Sequence, residues 1–414
     1  MKFSLPTNFD PRYIEGLKGY PVTEVYGKML TDVIGGGRLS QILPAVSLSD
    51  VRRHATLCKK NGIGFNYLLN AANSDNCEYT RQGQEQLTRL LDDLWGMGVE
   101  RFTVATPYLL RFIKARYAKA WVKISVFAQV GDPRKARQWE DMGADEIVLD
   151  SLLVNREVAT LLEIRRAVKV PLQLLVNNNC YYGCAHSPYH MSVIAAGSRR
   201  GSKTSGFMPD YCFLRCTAKK LRQPERHLMA DWIRPEDLSH YEELGYDNFK
   251  LSGRNMPTDV LLMRLKAYAG RRFEGNLLDL IQDFGRTAVA GRRATALKSR
   301  LNSLFIWLGN SAPLKLAAWR KLLDLSRKQG FFSASSIEPP VVIDNRALDG
   351  FLGPILRMGG CRNRLCEDCQ YCHGIAAKAI SVRAASRDTI LQVQEPLLQG
   401  MESGEFWRAS SVRN

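Results

Sequence analysis

Eight of the ten cysteines of this chain fall into two groups whose spacing suits metal chemistry. The first group lies between Val176 and Thr217, which reads VNNNCYYGCAHSPYH, then a polar basic loop, then DYCFLRCT. It holds Cys180/Cys184 and Cys212/Cys216, two pairs spaced i, i+4. That spacing would place both sulfurs of a pair on one face of a helical turn. Two such pairs brought together would offer four thiolates to one centre, either a 4Fe-4S cluster or a tetrahedral zinc ion. The second group, GGCRNRLCEDCQYCHG, carries Cys361, Cys366, Cys369 and Cys372 as C-x4-C-x2-C-x2-C. Its C-x2-C-x2-C part is like the cluster-binding runs of ferredoxins, and zinc with His373 as a substitute ligand is the rival. Cys58 lies in a helical pattern and reads as core, and Cys77 follows the third strand-like run.

Other groups capable of chemistry stand nearby. Three asparagines, Asn177 to Asn179, precede Cys180, and His186 and His190 follow Cys184. Four residues apart, the two histidines could orient a substrate or relay a proton. Asn177, Asn178, His186 and His190 are therefore the candidate catalytic residues. IGGGRLSQ supplies Gly35 to Gly37, Arg38 and Ser40. Consecutive glycines let backbone N–H groups approach an anion, and an arginine forks onto carboxylate or phosphate. Neither a P-loop nor a dinucleotide fingerprint has this spacing.

These residues need a scaffold. Eight short β-rich runs, at 3–7, 22–27, 64–69, 101–106, 122–130, 145–150, 172–177 and 248–252, alternate with helical patterns. The helical patterns run over 48–61, 81–97, 108–118, 133–142, 153–168 and 235–244. Such alternation predicts parallel βαβ units and an α/β fold, a (β/α)8 TIM-like barrel with a C-terminal cysteine-rich extension. An open doubly wound sheet is the alternative. In a barrel the chemistry sits where strands end, and the predicted strand ends carry Asn70 and Asn73, Thr106, Gln129, Asp150, Asn177 to Cys180, and Lys250 with Ser252 and Arg254. Arg38, Lys250 and Arg254 are the candidate substrate anchors. The barrel is expected over 1–270, carrying the insertion 176–217, and a basic helical and cysteine-rich region over 271–414.

Composition sets the bounds. The chain has 414 residues, 45% of them apolar, and a formal net charge of +17. It can bury a large core, and an anionic partner is worth considering. No apolar h-region opens the sequence and no run approaches the ~18 apolar residues of a spanning helix, so a cytoplasmic protein without a transmembrane segment is expected. In that compartment cysteines serve metals or redox chemistry rather than disulfides. Between Arg286 and Lys328 stand ten Lys or Arg and one acid, Asp324. This segment reads as an amphipathic helix packed on the barrel, or as a surface for a partner, an anionic membrane or RNA. The Ser198–Gly206 loop, rich in Gly, Ser and basic residues, is a candidate lid.

VYGKMLTDVIGGGRLS, FNYLLNAAN, EYTRQGQ, LQLLVNNNCYYGC, DYCFLRCT, WIRPEDL, FKLSGR and the closing cysteine run together resemble the peptidase U32 family over roughly Met1 to Ile380. The resemblance implies a barrel with a cysteine-bound 4Fe-4S cluster. Better-understood relatives include the UbiU/UbiV pair of oxygen-independent ubiquinone biosynthesis and enzymes that hydroxylate tRNA or rRNA. They imply oxygen-independent hydroxylation with prephenate as oxygen donor, a small organic or RNA substrate, a sister U32 subunit or homodimer, and an electron carrier. The family name implies peptidase activity as the alternative. A cysteine protease needs a thiolate, a histidine base and an orienting group, whereas paired cysteines fit cluster ligation. LLVNNNC stands where the family has a Glu-x-Phe-x-x-Gly segment, which implies a branch with its own substrate.

Overall fold

A computed structural model describes residues 1–204, 208–285, 316–330 and 335–407. Eight parallel strands close into a barrel in sequence order: β1 Lys2–Pro6, β2 Val22–Gly27, β3 Gly64–Leu69, β4 Arg101–Val104, β5 Trp121–Ile124, β6 Glu146–Val148, β7 Leu172–Leu175 and β8 Asn248–Lys250. Closure is made by β1 against β8, with Phe3 opposite Phe249 and Ser4 opposite Lys250. All eight expected strands are present, and the open doubly wound sheet is not formed. Outward side chains such as Phe3, Val25, Tyr67, Phe102, Ile124, Ile147 and Leu174 are fully buried beneath the helical ring.

The inward positions depart from the branched apolar layers usual in such barrels. Ser4, Glu24, Asn66, Thr103, Lys123, Glu146 and Gln173 form one buried polar network. Lys123 reaches across the interior to Glu24 and sits 3.0 Å from Glu146. Strands β2 and β5 are not neighbours, so this ion pair spans the barrel rather than its wall.

Several strands end earlier than the sequence suggests because their polar termini cap the next element. Thr106 accepts from Leu109 N and starts the helix Pro107–Arg116. Ser125 caps a short 3-10 turn, Val126–Ala128, that leaves Gln129 left-handed at φ +51°. Asp150 caps Ser151–Val154. The expected helix over 153–168 is split, since Asn155, Arg156 and Glu157 turn inward and are buried. Asn155 donates to Leu175 O and Asp231 O at 2.9 and 2.7 Å.

The C-terminal region lies over the barrel's C-terminal mouth. A two-stranded antiparallel sheet pairs β9 Val341–Ile343 with β10 Ile380–Val382. The helix Ala384–Glu402 packs on the helices Leu316–Gln329 and Tyr211–Arg222. Buried Gln394 donates to Leu214 O and Thr217 Oγ1, both at 2.6 Å, and accepts from Gln329. Most of the basic run, 286–315, and the end of the candidate lid, 205–206, lie outside the described residues. Among the described residues no helix is long and apolar enough to cross a membrane.

Candidate functional site

The seventh strand delivers the first cysteines to the barrel mouth, as its sequence suggested, but not on a helix. Residues 178–184 form a turn in which Gly183 is left-handed at φ +64°, so Cys180 and Cys184 are carried by a loop. The loop is held by pairing with the segment 229–231. Cys180 N donates to Asp231 Oδ1 at 2.9 Å, Asp231 N returns to Cys180 O, and Tyr181 bridges Ala230. The second pair conforms to expectation. Cys212 and Cys216 sit on the helix Tyr211–Arg222, which Asp210 caps through Phe213 N at 2.9 Å.

All four thiols line one cavity of about 580 Å³, together with Asn177, Asn178, His186, His190 and Arg38. Its roof comes from the C-terminal region through Leu322, Leu325, Val341 and Ile390. Burial pushes the Cys180 thiol far above its ordinary range, with Asp231 and the thiols of Cys216 and Cys184 adding to the rise and Lys220 opposing it. Burial likewise raises Cys212 to about 11, reinforced by Asp210, Cys184 and Cys216. Cys216 is raised by burial against the pull of Lys220. Burial thus favours the protonated thiol at Cys180, Cys212 and Cys216, and a bound cation would replace those protons. Among the described residues no three Cys, His, Asp or Glu side chains converge tightly enough to clasp a single metal ion. Four thiols round one cavity are a donor set for an iron–sulfur cluster or a tetrahedral zinc ion. By the chemistry of its donors, the set fits a cluster.

The other expected residues fall into two classes. His190 Nε2 lies 2.9 Å from Asp210 Oδ2 on the helix Ser187–Gly197, so the capping carboxylate also orients the ring. His186, just before that helix, is exposed on the cavity rim. Asn177 spends its amide on structure, donating to Ser252 O and Leu280 O and accepting from Ser252 N at 2.6 Å. Asn178 donates to Asp231 Oδ2 at 2.8 Å, which steadies the Cys180 loop.

The three anchors are not equivalent. Arg38 lies at the rim and pairs with Asp283 at 3.0 Å. Lys250 and Arg254 lie deeper, off the cavity wall, in a basic patch with Lys28 and Tyr67. Lys28 is paired with Asp32 at 2.9 Å. Lys250 stands 4.3 Å over the Tyr26 ring, and burial, with Lys123 adding, pushes its amine down to about 7. Burial pushes Arg254 down to about 10, with Arg38 working in the same direction.

The triple glycine does not cradle an anion with all its amides. Gly35 N is taken by Asp32 Oδ1 at 2.7 Å, and Gly36 N by Ser198 Oγ at 2.7 Å. Gly35 is needed instead for close approach. Its φ is +87°, and a Cβ there would stand 2.9 Å from Ala195 O. The described part of the candidate lid is fastened by Ser198 to Gly36 O and by Arg199 to Asp75 at 2.9 Å. Cys77 donates to Val33 O and helps hold the glycine loop, and Cys58 is core.

Three residues at the site were not singled out by sequence. Lys220 continues the Cys212/Cys216 stripe by another four residues, and its Nζ binds Asn179 Oδ1 at 2.6 Å. The i, i+4, i+8 spacing carried that signal. Asp210 was legible as a helix cap but not as the partner of His190. Asp231 had no local signal, because its partners lie some fifty residues away.

The profile of Peptidase family U32 matches residues 46–272, more than half of the chain. The chain belongs to peptidase family U32. An uncharacterized protease of Methanocaldococcus jannaschii, MJ1657, is 26% identical over 352 residues, covering 85% of this chain and 87% of that one. A solved structure titled as the U32 peptidase Mk0906 is 20% identical and covers 61% of this chain and 93% of its own, with a TM-score of 0.46. The family match spans β3 to β8 and the Cys180 to Cys216 site, and it stops before the second cysteine group.

Proposed function

We propose that this U32 protein is a redox enzyme that holds a 4Fe-4S cluster on Cys180, Cys184, Cys212 and Cys216 and hydroxylates a small anionic organic or RNA-derived substrate without O2. One observation carries this reading: four thiols line one roofed cavity with an oriented histidine at the C-terminal mouth of a barrel. When bound, such a cluster would supply single-electron chemistry beside the substrate. The rest falls to the chain. His190, fixed by Asp210, is placed to hold or move a proton at Nδ1. His186 borders the opening, and Asn177 and Asn178 keep β7, β8 and the cysteine loop in register. Arg38 at the rim, with Lys250 and Arg254 below, draws an anionic group towards the mouth. Prephenate, the oxygen donor suggested by the family resemblance, carries two carboxylates suited to them.

A peptidase is the second reading, favoured by the His190–Asp210 pair, which has the form of two thirds of a thiol-protease triad. Among the described residues no cysteine sulfur hydrogen-bonds a histidine ring, so the nucleophile of that triad is not assembled. Anaerobic purification followed by iron, sulfide and zinc analysis separates the two. The redox reading expects about four irons per chain to be lost in Cys180→Ser/Cys212→Ser. Unchanged iron in that variant, or peptide hydrolysis that survives metal removal and disappears in His190→Ala, would overturn it.

A further inference from the structure

The second cysteine group lies outside the family match and is not needed by the site described above, yet it is bound to the same platform. Gly359 and Gly360, at φ +79° and +103°, turn the chain so that the loop lands on Arg156 and Glu157. The approach is close: a Cβ on Gly360 would stand 2.7 Å from Arg156 O. Glu157 Oε1 then accepts from Cys361 N at 2.8 Å and Arg362 N at 2.9 Å. The same oxygen accepts from Tyr182 OH at 3.0 Å, and Tyr182 stands between Cys180 and Cys184. On the other side, Leu228 O receives Arg156 Nη2 at 2.7 Å, with Cys372 Sγ at 3.9 Å. Three residues further on, Asp231 holds Cys180.

Both ends of this group meet the Arg156–Glu157 corner: Cys361 N is held on Glu157, and Cys372 Sγ and Arg156 Nη2 share Leu228 O. Cys366 and Cys369 bracket one helical turn, and the left-handed Gln370 (φ +53°) redirects the chain so that Cys372 opens the next helix, Tyr371–Ala379. A buried cation stands against them. Arg156 is 2% exposed, donates to Leu228 O, and lies against both Trp232 and Phe351, 5.4 and 5.5 Å from their ring centroids. No carboxylate is paired with its guanidinium among the described residues. A fully buried arginine without a carboxylate calls for another source of negative charge. Four thiolates binding iron carry more negative charge than the cluster's core neutralises, and Arg156 meets that excess.

We propose that Cys361, Cys366, Cys369 and Cys372 hold a second metal centre of the iron–sulfur class, neutralised by Arg156 and joined to the first cysteine site through Tyr182, Glu157 and the 228–231 segment. Cys366 is exposed, so this centre lies at the surface while the first faces the cavity.

The test compares anaerobically prepared wild type, Cys366→Ser/Cys369→Ser and Cys180→Ser/Cys212→Ser by iron, sulfide and zinc content and by redox titration followed by electron paramagnetic resonance. Each double variant is expected to lose about half of the iron, and each should leave the signal of the other centre. Should the first double variant fail to fold, Cys366→Ser alone, on an exposed side chain, gives the same readout. Arg156→Met should move the potential of the second centre downwards, because a cation that favours the reduced state is gone, while Arg156→Lys should restore it. Wild-type iron retained in Cys366→Ser/Cys369→Ser would overturn the proposal. So would one zinc per chain lost from it in place of iron, or a second-centre potential indifferent to Arg156→Met. Loss of iron only in Cys180→Ser/Cys212→Ser would leave the proposed function standing and sink this inference. The converse pattern would do the reverse.

Discussion

Replacing Lys123 by Met tests whether the barrel interior is held by charge. Lys123 is 1% exposed and touches Glu24, with Glu146 at 3.0 Å. Burial alone would lower its amine, but the two carboxylates outweigh burial and raise it. Burial would lift Glu24, and Lys123 more than cancels that, so its carboxyl sits below the usual range. Removing one partner of such a group strands buried charge and costs about 3–5 kcal/mol. That is a large part of a typical stability of about 5–15 kcal/mol. The sign with pH follows. In the wild type, Glu24 is depressed, so its contribution is present above its unfolded value of 4.5 and fades as pH falls through the folded one. In the variant the freed carboxylates rise instead, the folded state binds more protons, and acidification stabilises it relative to wild type. Urea unfolding at pH 8 and pH 5.5 should show the deficit shrinking by about 1–2 kcal/mol over that interval. Adding Glu24→Gln should recover part of the loss. A deficit under about 1 kcal/mol, or one flat with pH, would refute the reasoning.

Substitutions at two further positions address acid sensitivity and the site. His54 is 4% exposed, hydrogen-bonds Thr7 Oγ1 at 2.8 Å, and is pushed down by burial from 6.5 to about 4. Because the unfolded ring takes up a proton first, stability is lost as pH falls from about 6.5 towards 4. His54→Gln should remove about 2–3 kcal/mol of that loss in urea titrations at pH 7 and 4.5, and an unchanged pH slope would count against it. Asp210→Asn should keep the helix cap, leaving the melting temperature within a few degrees, whereas Asp210→Ala should cost about 1 kcal/mol. Both should impair turnover through His190 while leaving bound iron unchanged, and wild-type turnover in the Asn variant would remove Asp210 from the site.

The barrel was legible because its outward residues alternate with polar ones and the helical patterns between them have the right period. What lay in the alternating polar positions was not. Glu24, Lys123 and Glu146 look in sequence like the solvated face of ordinary strands, and only closure of the sheet turns that face inward. Spacing was trustworthy where the chain stayed helical, as at Cys212 and Cys216. It misled at Cys180 and Cys184, where Gly183 in the left-handed region breaks the turn. The glycine run suggested an anion cradle because its amides look free in sequence. Asp32 and Ser198, one of them 162 residues from Gly36, had already claimed two of them. Long-range acceptors of this kind leave no local mark.

The polar interior also bears on what can bind. Most cations near the mouth already have carboxylates: Lys123 has two, Lys28 has Asp32, and Arg38 and Arg264 share Asp283. The side chains of Lys250 and Arg254 have no hydrogen bond or ion pair among the described residues; Lys250 stands over the Tyr26 ring and feels the charge of Arg254. A protein does not gain stability from two such groups left alone in a low-dielectric pocket, since each pays desolvation without a partner. Their depressed proton affinities express that cost. An anion that reached them, behind the cavity wall, would restore Lys250 to its charged form and give Arg254 a counter-charge. Binding would therefore take up a proton near neutral pH and strengthen as pH falls through about 7. Under the proposed function, a carboxylate reaching these buried cations gains more than a neutral peptide bond would, and that reading therefore expects a small acid rather than a polypeptide.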